Sequence, residues 1–461
     1  MKSIIIAAPQ SGAGKTTVTL GIMESMRRRG LTVAPFKVGP DFIDPGYHRL
    51  VTGQPSINLD GWICQPDTLR EIFDQHAHGA DIAVIEGVMG LFDGVDGVRE
   101  DGSTAQVAKI IGAPVILVVD ARSQARSAAA LVKGYATFDP GVRISGVIFN
   151  NVGSEAHARI LSDAVEGLGM GIPVIGCIPR EEQLLIPSRH LGLFTVDEQP
   201  LSDDFLDYLV AVVRAYIDLG LIWAAGMPLA SGEPMPLQLN STPPPPITRI
   251  AVARDVAFCF VYETNLRLLR EAGAEIVEFS PLSDTALPPD ISGIYLPGGY
   301  PELFAEQLAA NTGMLSAIRK AINSGMPVYA ECGGFIYLSK GVVDPVNGTG
   351  DRHDLVGIFP TVTQMLPKRK ALGYREVTLT GPTILGPKGL VARGHEFHYS
   401  EMSPMPHKVR RAYQVGKHGL DLGEEGFRHK NCLASYIHLH FGSNPALAPN
   451  FVASCRKYHH L

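Results

Sequence analysis

Short apolar runs alternate with longer stretches of helical period along the first half of the chain. The runs are SIIIAAP, TVAPFKVG, IAVIEGV, APVILVVD, RISGVIFN and IPVIGCIP. They are apolar continuously rather than at every second position, which predicts strands of a parallel sheet buried on both faces. KTTVTLGIMESMRRRG is the clearest of the helix-like segments between them. The pattern restarts in the second half: RIAVARD, the helix ETNLRLLREAG, then AEIVEFSP, GIYLPGG and MPVYAEC. Together these predict an α/β protein with two doubly wound, mostly parallel-sheet domains. No fixed-period repeat relates the halves, which excludes a solenoid.

Between the halves lies AGMPLASGEPMPLQLNSTPPPPI, dominated by Pro, Gly and Ser. Consecutive prolines hold the chain extended and semi-rigid. The expected organisation is therefore a domain over 1–224, a proline-rich linker over 225–247 and a domain over 248–461. Residues 342–392 show no clear period. Their basic stretch KRKALGYREV faces either anionic substrate or solvent.

Composition narrows the function. A chain of 461 residues, 45% hydrophobic and 19% charged, belongs with multi-domain globular proteins. Its net charge of −6 argues against a nucleic-acid partner, which a basic face would recognise. No apolar run has the length of a membrane span. The N-terminal run leads directly into a glycine-lysine loop, so a first strand explains it better than a signal peptide. The six cysteines at 64, 177, 259, 332, 432 and 455 form no C-x-x-C pair, which suits a reducing cytoplasm and speaks against a zinc ribbon.

The loop PQSGAGKTT fits G-x-x-x-x-G-K-[ST] except that Pro9 stands where the first glycine is expected. Gly12 and Gly14 let backbone N–H groups turn towards phosphate, Lys15 supplies positive charge, and Thr16 reaches Mg2+. Thr17 follows in the same helical turn, whose N-terminal end favours anions. The carboxyl ends of neighbouring strands would bring further groups to the loop. Lys37, Asp41 and Asp44 follow one strand, Glu86 ends another and Asp93 lies on the loop beyond it. Thr16, Asp41 and Glu86 form the expected Mg2+ set, and Asn150 is a candidate reader of the adenine edge. Taken singly, each of these carboxylates is equally an ordinary solvated loop residue.

Cys332 sits at the end of MPVYAEC, followed by Gly333 and Gly334. Small neighbours permit the strained strand-to-helix elbow that presents a nucleophile, and a helix N-terminus is expected to lower its pKa. A lone cysteine is otherwise a core residue. Two further features favour the nucleophile. His438 and His440 in ASYIHLHFG, read as one strand, lie on one face and supply a base. Gly298 and Gly299 after GIYL, with Gly333, offer backbone N–H groups to an oxyanion. His395 and His398 in GHEFHYS resemble metal ligands, but nothing completes a zinc set. His459 and His460 lie at the frayed end.

PGGYPE, AECGG and SYIHLHF make the second half resemble a class I glutamine amidotransferase domain of the cobyric-acid-synthase type. SGAGKTT, FKVGPDFIDPG and IEGVMGLFDG make the first half resemble the dethiobiotin-synthetase-like P-loop ligases. In this order, and with GHEFHYS, the whole chain resembles the cobyrinic acid a,c-diamide synthase family of cobalamin biosynthesis. The resemblance implies a ligase that uses ATP, Mg2+ and glutamine. Cys332 would release ammonia from glutamine with His438 as base. The ATP domain would phosphorylate two acetate carboxylates of a tetrapyrrole polycarboxylate, and ammonia would displace the phosphate. Lys15, Thr16, Asp41 and Glu86 would then act on phosphate and Mg2+, with Asp44 and Asp93 in the phosphoryl-transfer or ring-binding region. Many amidotransferases carry an acid two residues after the histidine. Here that position is His440, which leaves a Cys-His dyad.

The motifs are equally compatible with the same chemistry on hydrogenobyrinic acid or nickel-sirohydrochlorin, and with a homodimer. A partitioning or metal-insertion switch ATPase is the alternative of another class. Its P-loop relatives carry a lysine where Gln10 stands here, which argues against it.

Overall fold

The computed structural model describes residues 1–186, 188–189, 192–228, 248–346 and 348–459. The chain divides into two compact units, Met1–Leu237 and Gln238–Leu461. Most of the predicted linker, residues 229–247, lies outside the described residues, as do His460 and the side chain of His459.

In the first unit the apolar runs form one sheet in the order Ile57–Leu59, Val33–Val38, Ile82–Glu86, Lys2–Ala7, Val115–Asp120, Ile144–Val152 and Val174–Pro179. All these neighbours pair in parallel, and Met227–Pro228 adds a short antiparallel pairing to Lys2–Ala7. The chain builds outward from Lys2–Ala7 in one direction and later in the other, so the switch point falls at the end of that strand. Ile4 and Ile6 share a buried cluster with Leu20, Ile22, Val213 and Ile222 from helices Lys15–Arg27, Asp203–Tyr216 and Leu219–Ala225. On the strand Val33–Val38, Phe36 packs instead on Phe73 of helix Pro66–Ala77, with ring centroids 5.0 Å apart. Helices thus cover both faces. Helix Lys15–Arg27 is itself buried over most of its length, and its inward Glu24 is paired with Arg27 and Arg28.

In the second unit Ala274–Phe279, Thr248–Ala253, Gly293–Leu296, Val328–Glu331 and Cys432–Ser435 lie side by side and parallel. Antiparallel strands Leu420–His429, Arg410–Lys417, Ala371–Leu379, Val391–His398 and His438–Leu439 continue the same sheet. This extension takes up part of the stretch that shows no period in the sequence.

The run ASYIHLHFG, expected as one strand, is two. Cys432–Ser435 pairs with Val328–Glu331, whereas His438–Leu439 pairs with Val391–His398. The break has a local cause. The Tyr436 N–H donates to Glu425 at 2.9 Å and the Ile437 N–H to Ser435 Oγ at 2.9 Å, so side chains take the donors a ladder would need.

Candidate active site

The first strand ends at the switch point, and residues 8–14 carry the chain into helix Lys15–Arg27. Gly14 caps that helix at φ 93°, and a Cβ there would lie 2.2 Å from Asn150 Nδ2. Both facts require glycine. Asn150 Nδ2 donates to the Ala13 carbonyl at 3.0 Å. Its amide nitrogen therefore braces the loop, where the sequence suggests an adenine reader. The Pro9 carbonyl accepts from the Tyr135 hydroxyl at 3.0 Å, which anchors the loop where its first glycine is missing.

Lys15 Nζ donates to the carbonyls of Met89 (2.7 Å) and Gln10 (3.2 Å). Burial, and then the neighbouring Lys37 charge, push its ammonium down to about 8. Thr16 Oγ1 donates to Glu86 Oε1 at 2.7 Å, and Thr17 is half-buried one residue on. Lys37 Nζ donates to Asp44 at 2.5 Å and to Glu86 at 2.9 Å, and lies 4.0 Å from Asp41. Burial works to discharge Lys37, but Asp44, Glu86 and Asp41 outweigh it and hold the ammonium charged. Burial likewise opposes the Glu86 carboxylate, and Lys37, His48 and Thr16 outweigh it and keep it ionised. The Asp93 carboxylate accepts from the Gly90 N–H at 2.8 Å, fixing the loop that presents Met89 to Lys15.

Lys15, Thr16, Lys37, Asp41, Asp44, Glu86 and Asp93 therefore form one cluster. The sequence reading passes over His48, which is fully buried and bonds Glu86 Oε2 at 2.7 Å and Ser56 Oγ at 2.9 Å. Its only signal is a histidine on the inner face of the helix that DPGYH opens. Thr16, Asp41 and Glu86 are hard oxygen donors, the set that suits Mg2+. Both Glu86 oxygens already bond protein groups, Thr16 among them, so Glu86 fits a cation site better behind Thr16 than as a direct ligand.

In the second unit Cys332 has φ 44° and ψ −101°, a backbone strained for any residue with a Cβ. Strand Val328–Glu331 precedes it and the short helix Gly333–Leu338 follows, which is the expected elbow. The pKa does not follow the expectation. Burial, together with Glu302 and Glu396, pushes the thiol up, and the Gly333 amide only partly opposes this. A six-residue helix contributes too little to offset desolvation. The resting thiol is protonated, and a base must take its proton.

The Gly298–Gly299 turn is the second departure. The Gly298 N–H donates to the Phe260 carbonyl at 3.2 Å, so it is not available to an oxyanion. The Gly299 amide lies beside Gly333, where a Cβ would sit 2.8 Å from Gly299 N. Gly299 has φ 154°, and a Cβ on it would lie 2.0 Å from the Ala257 carbonyl. Of the three expected glycines, Gly299 and Gly333 are left as the candidate donor pair. His438 stands over the other side of the turn, where a Cβ on Gly298 would lie 2.3 Å from its Cε1. Gly333, the residue after Cys332, and the His438 imidazole thus flank the same two glycines.

Burial, then the nearby His398, pushes the His438 imidazole down to about 3, so it is neutral at pH 7, with a ring nitrogen able to accept a proton but weakened as a base by its burial. Its ring stacks on His395 with centroids 4.8 Å apart. His395 in turn bonds the Tyr262 hydroxyl at 2.8 Å, and His440 packs edge-on against Tyr262 at 4.7 Å. His440 therefore joins His438 through Tyr262 and His395. His398 bonds Glu396 (2.9 Å) and the Ser400 carbonyl (2.8 Å), and Glu396 pairs with Arg375 (2.6 Å). The GHEFHYS histidines thus serve hydrogen bonding and ring packing around Cys332 and His438. Glu331, Glu396 and Tyr262 are absent from the sequence-based site. Glu331 carries one signal, a carboxylate inside an apolar strand next to the candidate nucleophile.

Residues 4–193 match the family model of a CobQ/CobB/MinD/ParA nucleotide binding domain. Residues 249–446 match that of a CobB/CobQ-like glutamine amidotransferase domain. Fold and site thus define a nucleotide-binding unit and a glutamine amidotransferase unit on one chain, an ATP-using, glutamine-dependent ligase. The relatives narrow this class. The chain is 44% identical over 455 residues to a cobyrinate a,c-diamide synthase of Dehalococcoides mccartyi (strain CBDB1), covering 97% of each protein. It is 42% identical to one of Priestia megaterium, covering 99% of this chain and 97% of that protein. It is 41% identical to a hydrogenobyrinate a,c-diamide synthase of Streptomyces coelicolor, covering 98% and 97%. The chain belongs to the cobyrinate a,c-diamide synthase family.

Proposed function

We propose that this protein converts the a and c acetate carboxylates of cobyrinate to amides, with glutamine as nitrogen donor and ATP as energy source. The observation that supports this most strongly is full-length similarity to synthases of that name by a chain carrying both a P-loop and an amidotransferase elbow.

The chemistry accounts for the two units. A carboxylate repels nucleophiles, and phosphorylation supplies the leaving group it lacks. In the first unit, Lys15 and the Gly12–Gly14 loop bind the nucleotide phosphates. Thr16 and Asp41 would hold Mg2+, which neutralises phosphate charge when bound, and Lys37, fixed by Asp44 and Glu86, stabilises the charge of transfer. A ring carboxylate oxygen attacks the γ-phosphorus and ADP leaves. Ammonia then attacks the acyl carbon and phosphate leaves. In the second unit, His438 takes the Cys332 proton as sulfur attacks the glutamine amide carbon, and the Gly299 and Gly333 amides face the oxyanion. Ammonia departs with the histidine's proton, and water hydrolyses the thioester to glutamate. We place the reaction in the cytoplasm, which six unpaired cysteines suit.

Hydrogenobyrinate is the second reading, favoured by the similarity to the Streptomyces enzyme. The test is incubation with ATP, Mg2+, glutamine and each ring in turn, followed by mass spectrometry. Double amidation of cobyrinate supports the first reading. Double amidation of the metal-free ring alone moves the assignment to the second, and no amidation of either rejects both.

A further inference from the structure

The glutaminase reading leaves one question open: what holds His438, once the usual acid is replaced by His440. Its strand, His438–Leu439, has two residues and pairs, among the described residues, with Gly394 and His395. So short a ladder fixes a backbone weakly. Both polar groups of Leu439 are held by side chains instead. Its N–H donates to Glu331 Oε1 at 2.8 Å, and its carbonyl accepts from Asn265 Nδ2 at 2.8 Å. Asn265 Oδ1 also accepts from the Phe441 N–H at 2.7 Å.

Glu331 is 1% exposed. Its Oε1 also accepts from the Tyr329 hydroxyl at 2.5 Å, and its Oε2 from the Tyr295 hydroxyl at 2.8 Å. A leucine would fill this space without desolvating a charge, but it would leave three buried donors unsatisfied. Glu331 is also covalently next to Cys332. The Leu439–Glu331 hydrogen bond thus joins the residue after His438 to the residue before Cys332, across 108 positions of sequence.

Resting on the glutaminase reading, we propose that Glu331 is a positioning residue. Its carboxylate, oriented by Tyr295 and Tyr329, pins Leu439 and so sets His438 against the Gly298–Gly299 turn that Gly333 flanks. It stands in for the acid other amidotransferases place beyond the histidine, but it acts on the backbone rather than on the imidazole.

The titratable groups facing Glu331 are Tyr295 on strand Gly293–Leu296, Tyr329 on its own strand, Tyr413 on strand Arg410–Lys417, and Cys332. Burial lifts its carboxyl to about 7, against the three hydrogen bonds. The ionised form accepts all three bonds, and protonation must reverse or remove one of them. Glutamine hydrolysis should therefore fall as pH falls through about 7, a range in which His438, at about 3, does not titrate.

The test is the pH profile of ammonia release from glutamine by full-length variants. E331Q should lower kcat by about 10- to 100-fold, as for a displaced catalytic group, with KM for glutamine within about twofold and ammonia-driven amidation intact. Its acidic limb should vanish. Y295F and Y329F each remove a bond to the ionised form and should move the limb to higher pH. Wild-type kcat with an unmoved limb in E331Q, or loss of ammonia-driven amidation along with glutaminase, would overturn the proposal. If E331Q does not fold, an unmoved limb in both tyrosine variants overturns it. Failure of the underlying reading has a separate signature: glutaminase activity that survives C332A.

Discussion

Lys15 donates to the carbonyls of Gln10 and Met89, and burial beside Lys37 lowers its pKa to about 8. Nucleotide phosphates favour the charged form, so binding should raise that value again. Between about pH 8 and the ordinary lysine range, the free protein has lost a proton that the complex regains. ATP binding should then take up a proton, and calorimetric enthalpies at about pH 9 should depend on the ionisation heat of the buffer. Buffer-independent enthalpies would refute this, and K15M should abolish the dependence. Lys15 and Cys332 were legible as residues because glycines crowd them for a backbone reason. Glu331 and His48 were not. Each works through hydrogen bonds to distant positions, and a single charged residue in an apolar strand looks like a strand end. Asn150 was legible as the residue closing a strand near the phosphate loop, but not that its amide nitrogen bonds the loop itself.

At the scale of elements, two turns and one strand carry testable consequences. Gly299 lies where a side chain would strike the Ala257 carbonyl, and its amide adjoins Gly333. G299A should reduce glutamine hydrolysis by about 10²- to 10³-fold, as for loss of an oxyanion donor, and leave nucleotide binding unchanged. Near-normal hydrolysis would return the oxyanion to other donors. Strand Ile144–Val152 reaches the phosphate loop through Asn150. N150A removes one hydrogen bond and should raise KM for ATP roughly five- to tenfold, with KM for glutamine unaffected, in steady-state assays. The parallel strands were legible because burial on both faces makes them continuously apolar. The antiparallel strands were not. Leu420–His429 is largely exposed over its first half and broken by Gly423 and Gly426, so its sequence carries neither an apolar run nor clean alternation. The division of ASYIHLHFG was hidden as well, because the competing acceptors Glu425 and Ser435 are recognisable only once folded.

For the whole molecule, the proposed function divides between the units, ammonia production in one and carboxylate activation in the other. The motif order foretold two units, since a P-loop and a cysteine elbow each need a strand-to-helix junction. C332A should abolish glutamine-driven amidation and retain ammonia-driven amidation. The most direct measurement uses glutamine carrying heavy nitrogen in its side-chain amide. The protein is incubated with this glutamine, ATP, Mg2+ and cobyrinate, and the ring is weighed by mass spectrometry. The account predicts a product carrying two heavy amides, dependent on ATP. An unlabelled product, or ATP consumed and glutamine hydrolysed with the ring unchanged, would contradict it.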